Sequence, residues 1–426
     1  MSLGTRGLGA FHSVYNYELN EFLNWSQVKY TTSYDGWSMG IHEKRVNLDT
    51  FLGTKYYIVK NDDTNVPFGY EEYMSTDTHS VYINTNFINL GTSHTTLYNS
   101  SSYSREGYNS INSSSKTFVN ELSYLNGAIV DSETQDALLA KYTHFESKNH
   151  LEDENVKSSL HEVNNGTVKV LAKNASNSFD EEVVVTGSSN TSALKELRYG
   201  SIITQTFEKS KVCNFASTSN PCYVDVIARM GENLSISLYG KNDKLLVSDS
   251  HMIHGYNDVA DIKCNRGFYV YEPVEKIVIN VVDNFKENKY LMFPKVFFEY
   301  YSDYLDDIAY MKENAVKNVV VHSSDEITFD TDYQEERVVV LNIPIDKGWS
   351  IVDENNEELE IIKVQGGFIG FVAPKGNKSY RLTYVTPLLE TGLKLTYLGT
   401  FLTVICYATI IYLNDKKKYK ELTTLR

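Results

Sequence analysis

Residues 234–248 read LSISLYGKNDKLLVS, and this stretch decides how the rest of the chain is read. Apolar and polar residues alternate over Leu234–Tyr239, the period of a half-buried strand. Gly240-Lys241-Asn242-Asp243 is a turn, because Gly and Asn accept the left-handed backbone that reverses a chain, and a second strand follows over Lys244–Ser248. Working outward, period two predicts strands over Thr167–Ala172, Glu181–Val185, Ser201–Phe207, Tyr223–Ala228, Gly267–Tyr271, Lys276–Val282 and Lys295–Glu299. Many short strands with regular turn signals predict an antiparallel sandwich, jelly-roll-like, over residues 151–315. Tyr301–Asn314 ends that block as a helix with Tyr304, Ile308 and Met311 at i, i+4 and i+7, and Asp306-Asp307 reads as its solvated face.

Upstream, residues 1–150 predict a mixed α/β region. Residues 11–25 are helical in pattern, Asn47–Val59 is a short helix running into a strand with Gly53 as the break, and Val66–Tyr70 is a turn. Ser80–Asn84 is a strand, residues 92–116 read as polar loop with room for short helices, and Phe118–Asn126 and Asp136–His144 as helices. Glu146–Asn165 is charged and featureless, which marks a boundary. Downstream, residues 316–388 predict a small antiparallel β-domain with strands Val338–Ile343, Gly348–Val352, Leu359–Val364, Gly367–Val372 and Ser379–Tyr384. The expected fold class is therefore mainly β, with an α+β N-terminal part, antiparallel sandwich domains and one C-terminal transmembrane helix.

That helix is Leu395–Leu413, LTYLGTFLTVICYATIIYL, an uncharged run close to the ~20 residues that span a hydrocarbon core. Tyr397 and Tyr412 lie near its ends, where aromatic rings favour the interface, and Lys394 can snorkel to the headgroups. Residues 389–426 are thus expected to form a transmembrane helix and a basic tail. Lys416, Lys417, Lys418 and Lys420 place that tail in the cytoplasm and the bulk outside, although Lys375, Lys378, Arg381 and Lys394 lie on the other side. Met1–Ala10 has no apolar signal core, so the chain is expected either to be tail-anchored or to be the end of a longer membrane protein.

A net charge of −15 without a basic stripe argues against broad nucleic-acid binding. Cys213 and Cys222 flank a turn-like segment; they form a local disulfide outside the cell or remain two unpaired thiols, the latter favoured by how little else depends on them. No Cys/His spacing suggests a metal site, and His251 and His254, lacking a third ligand, are expected on a solvated loop. No nucleotide-binding glycine fingerprint, P-loop, HExxH or GxSxG is present, and no carboxylate pair is assigned a catalytic role.

One pattern is more specific. Residues 338–349 read VVVLNIPIDKGW: a strand, a Pro-bounded turn, a Gly allowing close approach and a Trp packing on it. Lys363–Phe368 (KVQGGF) and Pro374–Tyr384 (PKGNKSYRLTY) complete a hairpin and a last strand. The set resembles the C-terminal end of the YfhO-like bacterial membrane proteins, carried here by Pro344, Asp346, Lys347, Gly348, Trp349, Gly367, Phe368 and Tyr384. Gly9–Asn16, Phe51–Val59, Val66–Tyr70 and Val81–Gly91 follow the family's order. Ile345, Glu354-Asn355, Asn377-Lys378 and Asn89-Leu90-Gly91-Thr92 depart from it, in the manner of turn and packing residues.

The resemblance implies a polytopic protein similar to GT-C glycosyltransferases, using a polyprenyl-phosphate-linked sugar and acting on lipoteichoic acid or a related surface glycopolymer at the bacterial cell membrane. Such enzymes keep their catalytic acid, and any divalent metal, among earlier membrane helices. No such helix precedes residue 395, so the catalytic site is expected to lie with a missing N-terminal transmembrane portion, and no catalytic residue or cofactor is assigned to this chain. Membrane lipid and the surface polymer are its expected partners, with Trp25, Trp37 and Trp349 as the rings considered for sugar stacking, core packing being favoured for each. The competing expectation is a non-catalytic, membrane-anchored carbohydrate-binding or adhesion protein.

Overall fold

A computed structural model describes residues 18–26, 30–31, 38–39, 45–61, 66–103, 114–159, 161–163, 167–171, 183–186, 201–207, 212–229, 234–249, 263–281 and 295–424. Trp37, His251, His254, the Gly9–Asn16 match and the first seven residues of the predicted 11–25 helix lie outside them. The expected class is borne out: antiparallel sheets dominate and one long apolar helix ends the described chain.

Seven helices are described: α1 (Leu19–Trp25), α2 (Val46–Phe51), α3 (Ser114–Asn126), α4 (Ser132–Lys141), α5 (Glu154–Ser158), α6 (Tyr301–Glu313) and α7 (Leu389–Thr424). The Asp131 carboxylate caps α4 by accepting from Thr134 N at 2.7 Å, which starts that helix four residues earlier than Asp136. Gly53, at φ +66°, breaks the chain between α2 and the strand Tyr56–Lys60.

The strands of residues 161–300 form two antiparallel sheets over one core. One orders His161–Val163, Lys295–Tyr300, Cys222–Arg229 and Lys263–Val270; the other has Val183–Thr186, Thr167–Leu171, Ile202–Thr206, Lys276–Val281, Leu234–Tyr239 and Leu245–Asp249. Between them pack Val168, Ile203, Ile236, Leu238, Ile277 and Ile279 against Val224, Val226, Phe268, Val270, Val296 and Phe298. Asn242 and Asp243 take φ +58° and +59°, the left-handed turn expected there.

A second pair of sheets closes around Ile327, Phe329, Val339, Leu341, Ile351, Ile369, Phe371, Tyr380 and Leu382. Two of its strands, Lys317–Val321 and Glu326–Tyr333, were not predicted. A third member comes from the N-terminal region: Gly91–His94 pairs antiparallel with Val338–Leu341. Residues 92–116 were expected to be polar loop, and this corrects that expectation for Gly91–His94 and Thr96–Asn99. The polar side chains are buried but bonded: Thr92 Oγ1 donates to Met311 O, Ser93 Oγ to Asn314 O, and Arg337 Nε to Ser93 Oγ. Similarly, the featureless 146–165 segment holds the strand Glu146–Lys148, α5 and the strand His161–Val163, an edge of the four-stranded sheet.

The two sheet pairs face each other across a central layer of α1, α2, α3 and α6. On Arg337–Pro344, Val339 and Leu341 face the C-terminal core while Val338 and Val340 face the helices. On Cys222–Arg229, Val224 and Val226 face the sandwich core while Tyr223 packs in the helical layer. Both sheets are covered on both sides, which is why VVVL lacks polar alternation.

The helical layer also buries charge. Arg45 forms an ion pair with Glu121, and Asn47 Nδ2 donates to Glu299 Oε2 at 2.8 Å. Asp307 accepts from Asn126 Nδ2 at 3.1 Å, so it faces the core rather than solvent as the Asp306-Asp307 pair was expected to do. Burial pushes Asp49 up to about 8, against the pull of Arg45 and with a further push from Glu121, and pushes Asp307 up to about 7.

Candidate functional site

The sequence-predicted motif forms a clasp at the base of α7. Asp346 Oδ1 accepts from Gly348 N at 2.9 Å and from the Tyr384 hydroxyl at 3.2 Å, and Trp349 N donates to Asp346 O at 3.2 Å. A Cβ on Gly348 would lie 2.4 Å from Val385 O, whose own N–H donates to Gly348 O at 2.9 Å, so only Gly fits. Trp349 stands opposite Tyr384 in register, ring centroids 5.0 Å apart, and is half-buried; Lys347 is exposed. Pro344 pairs with Phe368 across a register shift, and Ile345 N donates to Gly367 O at 2.9 Å.

The second half of the motif is packing. Phe368 is fully buried, edge-on to Phe22 at 4.8 Å and Phe51 at 5.2 Å. A Cβ on Gly367 would fall 2.4 Å from Glu18 O, and one on Gly366 would fall 2.5 Å from the Trp25 ring. Trp25, 7% exposed and against Tyr103 at 5.2 Å, leaves no ring face for a ligand. Of the three tryptophans, only Trp349 is described with part of its ring at the surface.

A different aromatic is presented to solvent. Cys213 and Cys222 are joined by a disulfide, correcting the favoured expectation of unpaired thiols. The loop they close reads CNFASTSNPC, and Phe215 on it is 76% exposed. The loop is pinned throughout. Val274 N donates to Val212 O, Ser217 N to Asn220 O, and Asn220 N to Ser217 Oγ. Its far end is tied to the start of α6, where Tyr301 N donates to Pro221 O and Ser302 N to Asn220 Oδ1. Phe215 N points at the Tyr300 hydroxyl at 3.4 Å, with the two rings 6.0 Å apart. Beyond Tyr300, the His161 ring lies 5.4 Å away, stacks on Phe298 at 4.9 Å and bonds Asp303 Oδ2 at 3.1 Å.

An exposed aromatic ring on a bonded loop can stack on the apolar face of a ligand. The polar groups of the same loop, from Ser217, Ser219 and Asn220, can hydrogen-bond a ligand's hydroxyls while the ring takes its apolar face. Sequence periodicity missed Phe215 because it sits on a loop and depends on Tyr300, far along the chain; the flanking cysteines were the one available signal. Among the described residues no group of three His, Cys, Asp or Glu could hold a metal ion.

The disulfide bridges a sequence separation of 9, for which loop closure alone predicts about 2.7 kcal/mol of stabilisation. Converting both cysteines to serine is expected to lower unfolding free energy by that order, measured by denaturant titration with and without reductant. Equal curves for both proteins under oxidising conditions would contradict the bond's contribution.

Comparison with known proteins places the chain. Residues 1–396 match the family described as "Bacterial membrane protein YfhO". The "Uncharacterized protein YfhO" of Bacillus subtilis (strain 168) is 22% identical over 417 residues, which are 94% of this chain and 40% of the relative; the chain thus spans well under half of that protein. Among solved structures, arabinofuranosyltransferase AftD from Mycobacteria aligns at 8% identity and a TM-score of 0.18, over 53% of this chain and 26% of that one. Discoidin II from Dictyostelium discoideum aligns at 12% identity and a TM-score of 0.16, over 45% of this chain and 78% of that one. α7 supplies one span, Leu389–Lys417, long and apolar enough to cross a membrane and 0% buried against the rest of the structure. The motif clasp, the apolar helix that follows it and the match along nearly all of the sequence agree: the chain belongs to the YfhO family of bacterial membrane proteins.

Proposed function

We propose that this chain is the extracytoplasmic C-terminal portion of a membrane glycosyltransferase that moves a sugar from a polyprenyl-phosphate donor to a cell-surface polymer such as lipoteichoic acid, and that this portion seats the acceptor. The observation that carries the acceptor role is the Phe215 platform, a solvent-facing ring on a loop fixed by a disulfide and by α6. Preorganised loops lose little entropy on binding, which suits a weak, repeated contact with a polymer. The disulfide favours an oxidising compartment for the bulk of the chain, and the lysines at 416–418 and 420 favour a cytoplasmic tail. Catalytic carboxylates and any divalent metal are proposed to belong to sequence outside this chain, which spans 40% of its Bacillus subtilis relative.

The test uses the full-length protein in membranes, with radiolabelled sugar on a polyprenyl phosphate and lipoteichoic acid as acceptor. Phe215→Ala is expected to raise the acceptor KM several-fold while kcat and the donor KM stay near wild type. An unchanged acceptor KM would remove the platform from acceptor binding. Polymer binding without any transfer would favour the adhesion alternative.

A further inference from the structure

We propose that the end of the C-terminal sheet pair from which α7 emerges is seated in the lipid headgroup layer, with Trp349 and Tyr384 as its interfacial anchor and Val320, Val321 and Val385 as its apolar rim. The partner is the glycerophospholipid surface itself. This rests on the reading that α7 spans the bilayer, and on four observations about what surrounds its base.

First, the connection is short. Only Val385, Thr386, Pro387 and Leu388 separate the last strand, Gly376–Tyr384, from α7. A fully extended chain covers at most about 3.6 Å per residue, and this one is not extended. Val385 N is bonded to Gly348 O, Leu389 N to Thr386 O, and Leu388 turns at φ +62°. The sheet end is therefore held within a few residues' reach of the membrane span.

Second, register brings particular side chains to that end. Trp349 pairs with Tyr384. Two residues up the strand, Leu382 stands level with Ile351 on one side and Ile327 on the other, and Ile327 pairs with Val321. Tyr384 N also donates to Asp325 O at 2.8 Å, so the turn after Val321 lies beside the exit point.

Third, bare apolar side chains stand beside the exit, next to the polar turn of residues 322–325. Val320 is 49% exposed, Val321 51%, Val385 64% and Leu388 80%. Val320 and Val321 lie on Lys317–Val321, the edge strand of its sheet. An edge with bare valines invites pairing with other chains unless something covers it. A bilayer surface, continuous with the one that covers α7, does so.

Fourth, the ring pair suits the headgroup zone. Trp349 and Tyr384 are both half-buried, with the Tyr384 hydroxyl on Asp346 and apolar ring area shared between them. Rings with a bonded polar tip and an apolar body concentrate at membrane interfaces. Lys347, two residues before Trp349, is exposed and can meet phosphate, while Lys394 on α7 pairs with Glu390 at 2.7 Å.

The experiment reconstitutes the whole chain in phosphatidylcholine–phosphatidylglycerol vesicles. With Trp25→Phe and Trp37→Phe, the remaining Trp349 fluorescence is titrated with lipids spin-labelled either near the headgroup or at mid-chain. As a second probe that keeps all tryptophans, Val321→Cys carries an environment-sensitive fluorophore. Protection of Cys406 from an aqueous maleimide, read by peptide mass spectrometry, reports separately on insertion of α7. The expected result is a protected Cys406, at least twofold stronger quenching of Trp349 by the shallow label, and a blue-shifted probe at 321. A protected Cys406 with an unquenched Trp349 and a water-like probe overturns the seating while leaving the spanning helix intact. A reactive Cys406 overturns the spanning helix, and the seating with it.

Discussion

Replacing Arg45 by Met is expected to destabilise the protein by about 3–5 kcal/mol, the usual cost of leaving one member of a buried ion pair alone. Arg45 is 6% exposed and Glu121 2%, and the guanidinium donates to Glu121 Oε1 through Nε at 2.6 Å and also through its Nη2. Burial raises the Glu121 carboxyl, and Arg45 opposes that rise by charge and by hydrogen bonding. Without Arg45 the carboxyl must take a proton to stay inside. The loss should therefore be largest at alkaline pH and shrink toward pH 5. Denaturant unfolding of the full chain in detergent, at pH 5 and pH 8.5, checks this. Adding Glu121→Gln to the Arg45→Met protein is expected to restore much of the loss, because it removes the stranded charge. A loss that does not depend on pH, or that the second change does not relieve, would assign Arg45 to packing instead.

Asp49→Asn should move stability the other way. The Asp49 carboxyl is raised from 3.8 to about 8 by burial first, with Arg45 lowering it and Glu121 raising it. Its folded-state pKa lies above its unfolded one, so the folded protein holds a proton that the unfolded chain has released. The group's contribution is complete below about pH 4, declines as pH rises, and is exhausted above about pH 8. At about 1.4 kcal/mol per pH unit, the decline across that window is on the order of 5 kcal/mol. Asp307, raised from 3.8 to about 7, adds a decline of the same sign over a narrower window. Asn is close in shape and never ionises. The Asp49→Asn protein is expected to be more stable than wild type at pH 8.5 and no more stable at pH 4, with a flatter curve between. Parallel curves would show that the Asp49 carboxyl ionises alike in the folded and unfolded chain.

These two residues also show where sequence stops being informative. Strands between 167 and 299 were legible because apolar residues recur at alternate positions and turn residues separate them, as in Leu234–Tyr239, where Ile236 and Leu238 face the sandwich core. The positions of Tyr304, Ile308 and Met311 on α6 were legible for the same reason at helical spacing, and all three are buried. Asp307 was not, since an acidic pair on a helix reads as solvated unless Asn126, from another helix, is known to meet it. Nor was Gly91–His94, whose polar side chains are bonded to groups more than two hundred residues away. The Gly348 clasp was legible as a tight approach, but its partner, Val385 O, was not. The Phe215 platform needed the disulfide and the start of α6 together, and only the cysteines were visible beforehand. Local periodicity reports what a segment buries; it does not report with whom.

The pairing of Gly91–His94 with Val338–Leu341 has a consequence in time. About 240 residues lie between the two strands, and at ribosomal speeds of 5–20 residues per second the second emerges roughly 10–50 s after the first. During that interval the earlier strand has no sheet to join, and its buried partners on α6 and at Arg337 do not yet exist. The central layer can therefore close only once Val338–Leu341 has emerged, shortly before α7. A truncation just before Val338 should leave a long-lived, protease-sensitive intermediate.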